Sequence, residues 1–117
     1  MSLDIGLYIM VDVGRGPDSL EKIALFDANI THNLNKMADE AGIYKYVWRP
    51  EELNIECAND LIEPLRAGIA KMEADPDHYK TFDAENGWGT YSDFLPWLRK
   101  YLAACEQYPG AMIWTWR

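Results

Sequence analysis

Residues 3–13 read LDIGLYIMVDV and place an aliphatic side chain at every odd position, with polar, small or aromatic residues mostly between them. A period of two over so many residues is typical of a β-strand that buries one face. The next residues, 14–19, read GRGPDS and are rich in turn formers. Residues 23–30 predict a second strand, which pairs most simply antiparallel to the first.

The rest of the chain alternates helical patterns with residues that break helices. Apolar residues at helical spacing predict three helices, and the final apolar run predicts a last strand. One aromatic segment fits either a short helix or an extended run, so its conformation stays open. In chain order these segments are residues 31–41 (helix), 43–54 (open), 60–74 (helix), 90–107 (helix) and 111–116 (strand).

Together these elements predict a single α+β domain over residues 1–117. We expect a small, mainly antiparallel sheet of about three strands, in the order ββ-helices-β, covered on one face by about three to four helices. The last strand has apolar residues on both faces, with Trp114 and Trp116 on one and Ile113 on the other. Either it is central in the sheet, which we favour, or a partner chain covers its second face, as in a homodimer through this strand.

The charge balance narrows the classes of partner. The chain of 117 residues has 19 acidic and 11 basic residues, a net charge of −8. Such a field repels phosphates, so we expect no nucleic-acid partner, whereas a basic protein partner fits. The start lacks the pattern of a secretion signal and no run is long enough to span a membrane, so we expect a cytoplasmic protein with no membrane partner.

The densest polar cluster, DANITHN at residues 27–33, lies where the second strand meets the following helix. In a functional interpretation, Asp27 and Asn29 share one side of the strand, His32 acts as an acid/base or hydrogen-bond donor, and free N–H groups of the first helical turn hold an anion. In the structural interpretation, which we favour, Thr31 caps the helix, Asn29 stabilises a turn and His32 is solvated or satisfied.

Two further segments have candidate binding residues. In ENGWGTY, residues 85–91, Asn86 and Trp88 could face a ligand, with the indole as a stacking platform; a tryptophan that fills the edge of the core is the favoured alternative. Arg49 could bind a carboxylate or phosphate, but a salt bridge with Glu51 or Glu52 is favoured.

Patterns that would indicate a particular chemistry are missing from the sequence. Cys57 and Cys105 are isolated and are expected to be reduced, buried thiols. We find no spacing typical of a zinc or iron site, no dinucleotide-binding glycine pattern and no nucleophile elbow. We therefore predict no cofactor and no metal, and we lean towards a protein that is not an enzyme.

Three segments resemble a group of small uncharacterised proteins from bacteria and their phages: NITHNL at 29–34, WRPEE at 48–52 and ENGWGTY at 85–91. The similarity runs from the second strand to the region of Pro109. This group has no activity that can be named, so the resemblance implies no catalytic roles. It implies a bacterial or phage cytosolic origin and a shared site built from these segments.

The leading hypothesis is a non-enzymatic binding protein of unknown role, with a pocket for a small polar or anionic ligand where the second strand meets the first helix. The alternative is an acidic protein-interaction module, such as an inhibitor or immunity-type partner of a basic protein. An enzyme that uses His32 with Asp27 or Glu85 is the least favoured. The residues predicted to bind the ligand are Asp27, Asn29, Thr31, His32, Asn33, Arg49, Asn86 and Trp88.

Overall fold

Three antiparallel strands form the sheet in the computed structural model, which describes residues 1–14, 16 and 19–117. Within these residues the strands are β1 (Ser2–Asp12), β2 (Leu20–Thr31) and β3 (Met112–Trp116), and their order in the sheet is β2-β1-β3. The predicted antiparallel pairing of the first two strands is confirmed. Three residues of the predicted turn between them, Arg15, Pro17 and Asp18, lie outside the described residues.

Five α-helices are present in the described part of the chain, together with short 3-10 turns. Residues 43–54 form a short helix followed by a 3-10 turn, which answers the question that the sequence left open. Residues 76–80, which lie outside the predicted helices, form a further helix that starts at Pro76, because proline suits the first position of a helix. The helices are α1 (Asn35–Glu40), α2 (Tyr44–Trp48), α3 (Ile62–Ala74), α4 (Pro76–Lys80) and α5 (Tyr91–Gln107).

The hydrophobic core lies between the helices and one face of the sheet. The odd-numbered side chains Leu3, Ile5 and Leu7 of β1 are fully buried there, as their alternation predicted. Large side chains from α2 and α5, including Trp48 and Phe94, pack in the same core. The α+β fold with helices on one face of a three-stranded antiparallel sheet is therefore confirmed.

Strand β3 lies at an edge of the sheet, so the favoured prediction that it is central is wrong. Residues 4–8 of β1 pair with it on one side. On its other side, only the start of β3 has backbone partners among the described residues. Met112 forms an isolated antiparallel β-bridge with Cys57, and the N–H of Ile113 donates to the Glu56 carbonyl. The two apolar faces of β3 have different neighbours. Ile113 packs against the core, and Trp114 lies over Gly6 on the opposite face.

The β1–β2 hairpin divides into two parts. Its near half, residues 2–8 and 24–31, lies under the helices, whereas its far half, residues 9–12 and 20–23, extends beyond β3 and leaves large apolar side chains exposed. The longest dimension of the described chain is accordingly 55 Å, against 27 and 23 Å in the other directions. Among the described helices, none combines the length and the apolar character needed to cross a membrane.

Candidate functional site

The end of β2 and the loop before α5 lie directly against each other. The two segments are in contact at Gly89, whose φ is +114°. A Cβ atom on Gly89 would lie 3.0 Å from Cγ2 of Thr31 and 3.2 Å from Cβ of Asn33, so a side chain there would meet both steric and backbone strain. The Asn33 amide donates to the Trp88 carbonyl at 2.8 Å. The two polar segments that the sequence singled out therefore form one structural unit.

The backbone of Trp88 is held on both sides. Its N–H donates to Oδ1 of Asn86 at 2.9 Å, and its carbonyl accepts from Asn33. The N–H of Ala84 closes the loop by donating to the Gly89 carbonyl at 2.9 Å. Even so, 72% of Trp88 is exposed. The interpretation that this tryptophan fills the edge of the core is therefore wrong, since a well-anchored loop presents the indole to solvent.

An open cleft of about 520 Å³, here called the Trp88 cleft, joins these residues to the start of β1. The amide of Asn29 donates to Ser2 and Asp4, which leaves its carbonyl oxygen available as an acceptor. The amide of Asn86 uses its oxygen on Trp88 and keeps its NH₂ group as a donor. The described residues that line the cleft include no lysine or arginine; they are Met1, Ser2, Asn29, Thr31, Asn33, Asn86 and Trp88.

His32 has a structural partner. Nδ1 of the half-buried imidazole accepts a hydrogen bond from the indole N–H of Trp48 at 2.9 Å, so the other ring nitrogen, Nε2, carries the proton of the neutral ring. This bond ties α2 to the end of β2. The rest of the ring borders a second open cleft of about 640 Å³, where Lys36 and Glu85 also lie. The structure therefore supports the interpretation of His32 as a satisfied side chain.

Thr31 acts as a cap, as the structural interpretation predicted. Its hydroxyl oxygen accepts from the N–H of Asn33 at 3.2 Å, at the start of the 3-10 turn His32–Leu34. One of the N–H groups considered for an anion is therefore already satisfied. The helix that follows, α1, has only six residues.

Asp27 and Arg49 do not line the Trp88 cleft. Asp27 shares the sheet face of Asn29 but comes two residues before it in β2, where it pairs with Gly6. Arg49 follows α2, where its guanidinium donates to the Tyr44 hydroxyl at 3.3 Å and to Glu52 at 3.1 Å. These two contacts, the Tyr44 bond first, raise the pKa of Arg49. The salt bridge favoured for Arg49 is confirmed, with Glu52 as the partner.

Sequence reasoning missed the contribution of the chain's first residues to the cleft. Ser2 pairs with Thr31 across the β1–β2 ladder, so antiparallel pairing brings Met1 and Ser2 beside the polar cluster. The predicted hairpin already contained this signal, since the start of one antiparallel strand always adjoins the end of the next. Sequence reasoning also gave no sign that Trp97 contacts this region. Its indole N–H donates to the backbone carbonyl of Asn29 at 3.0 Å and anchors β2 to α5.

The cysteines and acidic residues form no additional site in the described part of the chain. No group of three or more histidine, cysteine, aspartate or glutamate side chains there is arranged to hold a metal ion. Cys105 is buried and Cys57 is half-buried. Burial, with a smaller effect of Glu106, raises the pKa of the Cys105 thiol to about 12, so this thiol stays protonated and unreactive at neutral pH.

Comparison with known protein families, with curated proteins and with solved structures finds no match for this chain. The interpretation of the Trp88 cleft therefore depends on its geometry and chemistry.

Proposed function

We propose that the protein is a non-enzymatic binding protein that takes a small polar ligand in the Trp88 cleft. The main support is the exposed indole of Trp88, presented by a loop with hydrogen bonds on both sides of that residue. An exposed tryptophan contributes little to folding, because the free energy of burying its large apolar surface is not gained. A rigid loop with an exposed aromatic ring is, however, well suited to bind a ligand, because little conformational entropy is lost on binding.

The residues around the indole favour a neutral ligand over an anion. Carbonyl oxygens of Asn29 and Asn33 can accept hydrogen bonds and the NH₂ group of Asn86 can donate one, whereas no basic side chain is among the described residues of the lining. A ring with hydroxyl or amide groups at its edge and an apolar face would stack on the indole and bond to these amides. An anion would instead need Lys36, which borders the neighbouring cleft.

Calorimetric titration with defined probes tests this proposal. The probes are neutral sugars and nucleosides (N-acetylglucosamine, glucose, uridine) and two anions (phosphate, citrate). The variant is Trp88→Ala, and the matched control is Trp116→Ala, since Trp116 is 73% exposed and lies outside the cleft. We expect a neutral probe to bind the wild type and Trp116→Ala, and to bind Trp88→Ala about tenfold more weakly or worse, a loss of about 1.4 kcal/mol.

Three results would contradict the proposal. Binding of phosphate or citrate alone, unaffected by Trp88→Ala, would move the site to the cleft beside Lys36. If no probe bound, or if Trp88→Ala and Trp116→Ala bound the probes with equal affinity, the Trp88 cleft would not be the ligand site.

We propose a second function, an acidic protein-interaction module, as the alternative. It is supported by the net charge of −8 and by a second exposed tryptophan, Trp116, which does not line the Trp88 cleft. Exposed tryptophans frequently anchor protein interfaces, and an acidic field accelerates association with a basic partner. Binding of this kind weakens as the salt concentration rises.

We further propose a cytoplasmic location in a bacterial cell. The support is the resemblance of the NITHNL, WRPEE and ENGWGTY segments to small proteins of bacteria and their phages. Fractionation of bacteria that express the full chain, followed by immunodetection, tests this location; recovery of the protein in the periplasmic or membrane fraction would contradict it.

A further inference from the structure

The sheet face that turns away from the helices, here called the open face, presents aromatic side chains from two strands. Even-numbered residues of β1 point to this face, because the odd-numbered Leu3, Ile5 and Leu7 point into the core. The register pairs Asp4 with Trp116 and Gly6 with Trp114, so both tryptophans lie on the open face. Tyr8 is the next residue of β1 on the same face.

Gly6 allows one of these indoles to lie against the sheet. A Cβ atom built on Gly6 would lie 2.2 Å from Nε1 and 2.4 Å from Cε2 of Trp114, so the ring occupies the space that any other side chain would need. Glycine weakens the interior of a strand, and its presence in a central strand often marks a close approach by another group. Here that group is the indole of Trp114, which forms the centre of an aromatic platform.

The platform already holds a cation. Nζ of Lys22, from β2, lies 4.4 Å from the centre of the Tyr8 ring and 5.6 Å from the centre of the Trp114 ring. Both distances are within the range of attractive cation–π contacts. The open face is therefore chemically suited to ammonium and guanidinium groups.

Carboxylates lie beside the same rings. Asp4 is paired with Trp116, and directly paired residues have Cβ atoms about 5 Å apart. Asp27 is paired with Gly6 from the other side. Neither carboxylate forms an ion pair with any of the described residues. Oδ1 of Asp4 accepts a hydrogen bond from the Asn29 amide at 2.5 Å, so a cation from another molecule would pair with Oδ2 of this carboxylate. Both carboxylates lie next to an indole on which such a cation can stack.

We propose that the open face binds a basic segment of a partner polypeptide, with an arginine or lysine side chain stacked on Trp116, since Lys22 already lies over Trp114, and with the basic charges of the segment paired with Asp4 and Asp27. Arginine fits best, because its planar guanidinium stacks on an indole while its N–H groups bond to a carboxylate. The net charge of −8 attracts such a segment from a distance. This inference rests on the second function proposed above and gives it a surface and a partner chemistry.

Other occupants fit the open face less well. A second copy of the chain packed face to face would bring Asp4 and Asp27 of both molecules into one interface, and burying like charges together is costly. Nucleic acid stacks on aromatic rings but its phosphates are repelled by the acidic chain. A neutral sugar would use the rings and gain nothing from the charge.

Fluorescence anisotropy with a labelled arginine-rich peptide tests the proposal on the full chain. The matched probe replaces each arginine by citrulline, which keeps the shape and removes the charge. We expect the arginine peptide to bind more tightly than its citrulline counterpart, and to weaken as salt is added. Trp116→Ala and Asp4→Asn should each weaken binding about three- to tenfold, the range of a single cation–π contact or partly exposed ion pair.

The control is Trp88→Ala, an equally exposed tryptophan outside the open face, which should leave the peptide affinity unchanged. Circular dichroism melting of each variant shows that the fold is retained. Because Trp88→Ala should remove small-ligand binding and Trp116→Ala should not, the two proposals can fail separately.

Three outcomes would overturn the inference. One is equal binding of the arginine and citrulline peptides; another is unchanged arginine-peptide affinity in both Trp116→Ala and Asp4→Asn. The third is a concentration-dependent dimer in sedimentation that Trp116→Ala converts to a monomer, since a second copy would then be the occupant.

Discussion

Strand β1 has the same alternating sequence in the near and far halves of the β1–β2 hairpin, but its odd-numbered side chains are buried in the near half and exposed to solvent in the far half. In the near half, Ile5 is 0% exposed, whereas Ile9, on the same face of the same strand, is 36% exposed. In β1 the alternation of aliphatic and other residues continues unbroken through both halves, although the register with β2 shifts between Leu7 and Tyr8. The comparison shows that a period of two predicts a strand with one apolar face but does not predict that anything covers that face.

The difference arises from what packs on each half. Helices and β3 cover the near half, and the pairing of β3 with β1 ends at Tyr8. The far half has only two strands, and a two-stranded ribbon without a third strand or a helix is marginally stable in water. Local contacts support it, including the Lys22 ammonium over Tyr8 and the bond from the Ser19 hydroxyl to Asp12 at 2.8 Å.

The largest difference between the halves should appear when matched isoleucines are truncated. Ile5→Ala leaves a cavity in the core and should lower the free energy of unfolding by about 2–5 kcal/mol. Ile9→Ala removes a partly exposed side chain and should cost less than about 1 kcal/mol. Urea denaturation of both variants measures this difference. Equal losses would mean that the far half is buried in solution.

A smaller effect is expected from adding a methyl group to the open face. Gly6→Ala in the near half places a Cβ where the Trp114 ring lies, and should destabilise the fold by about 1–3 kcal/mol through overpacking. The added cost should disappear when Trp114 is already alanine, which a double-mutant cycle measures by thermal melting. Ala24→Val, at an exposed position paired with Tyr8, is the control and should change stability by less than about 0.5 kcal/mol. A Gly6→Ala penalty that persisted without the indole would show that the strand backbone, and not Trp114, requires glycine.

The smallest expected effect is a change in the pKa of Asp12, at the end of β1 in the far half. Bonds from the N–H of Gly14 and from the Ser19 hydroxyl, in that order, lower the pKa of Asp12. Because the folded pKa lies below the unfolded value of about 3.9, the stabilisation from these bonds is present above that pH. It is lost as the pH falls through the folded pKa. Ser19→Ala should raise the pKa of Asp12 towards its ordinary value, as measured by NMR titration.

Ser92→Ala, at an exposed serine elsewhere on the chain, is the control and should leave Asp12 unchanged. An unshifted Asp12 in the Ser19→Ala variant would show that the tip of the far half is not ordered in this way.

Much of the fold could be predicted because its signals are local. The alternation of residues 3–13 identified β1, and turn residues placed the hairpin. The position of β3 could not be predicted in this way. Its two apolar faces are equally compatible with a central strand, and only the space above Gly6 explains how an edge strand keeps Trp114 partly covered.

The candidate site was predicted in part, for a similar reason. Asn29 and Asn33 were recognised as polar residues where the second strand meets a helix, and Trp88 as an aromatic residue in a loop, and the fold brings all three to one cleft. Arg49 was included as a candidate ligand residue because of its type, and the fold pairs it with Glu52, as the favoured alternative predicted. Its position depends on the direction in which α2 leaves the core, and no short stretch of sequence encodes that direction.

The amino-acid sequence by itself determined the period of β1, the start of α5 and the two segments that contain the candidate site. These properties depend on backbone preferences and side-chain spacing within a few residues. Tertiary structure alone decided that the helices cover half of the hairpin, that Gly89 brings two distant segments into contact, and that Trp88 faces solvent. Exposure and close approach depend on which remote segments pack together, and that packing is a property of the whole chain.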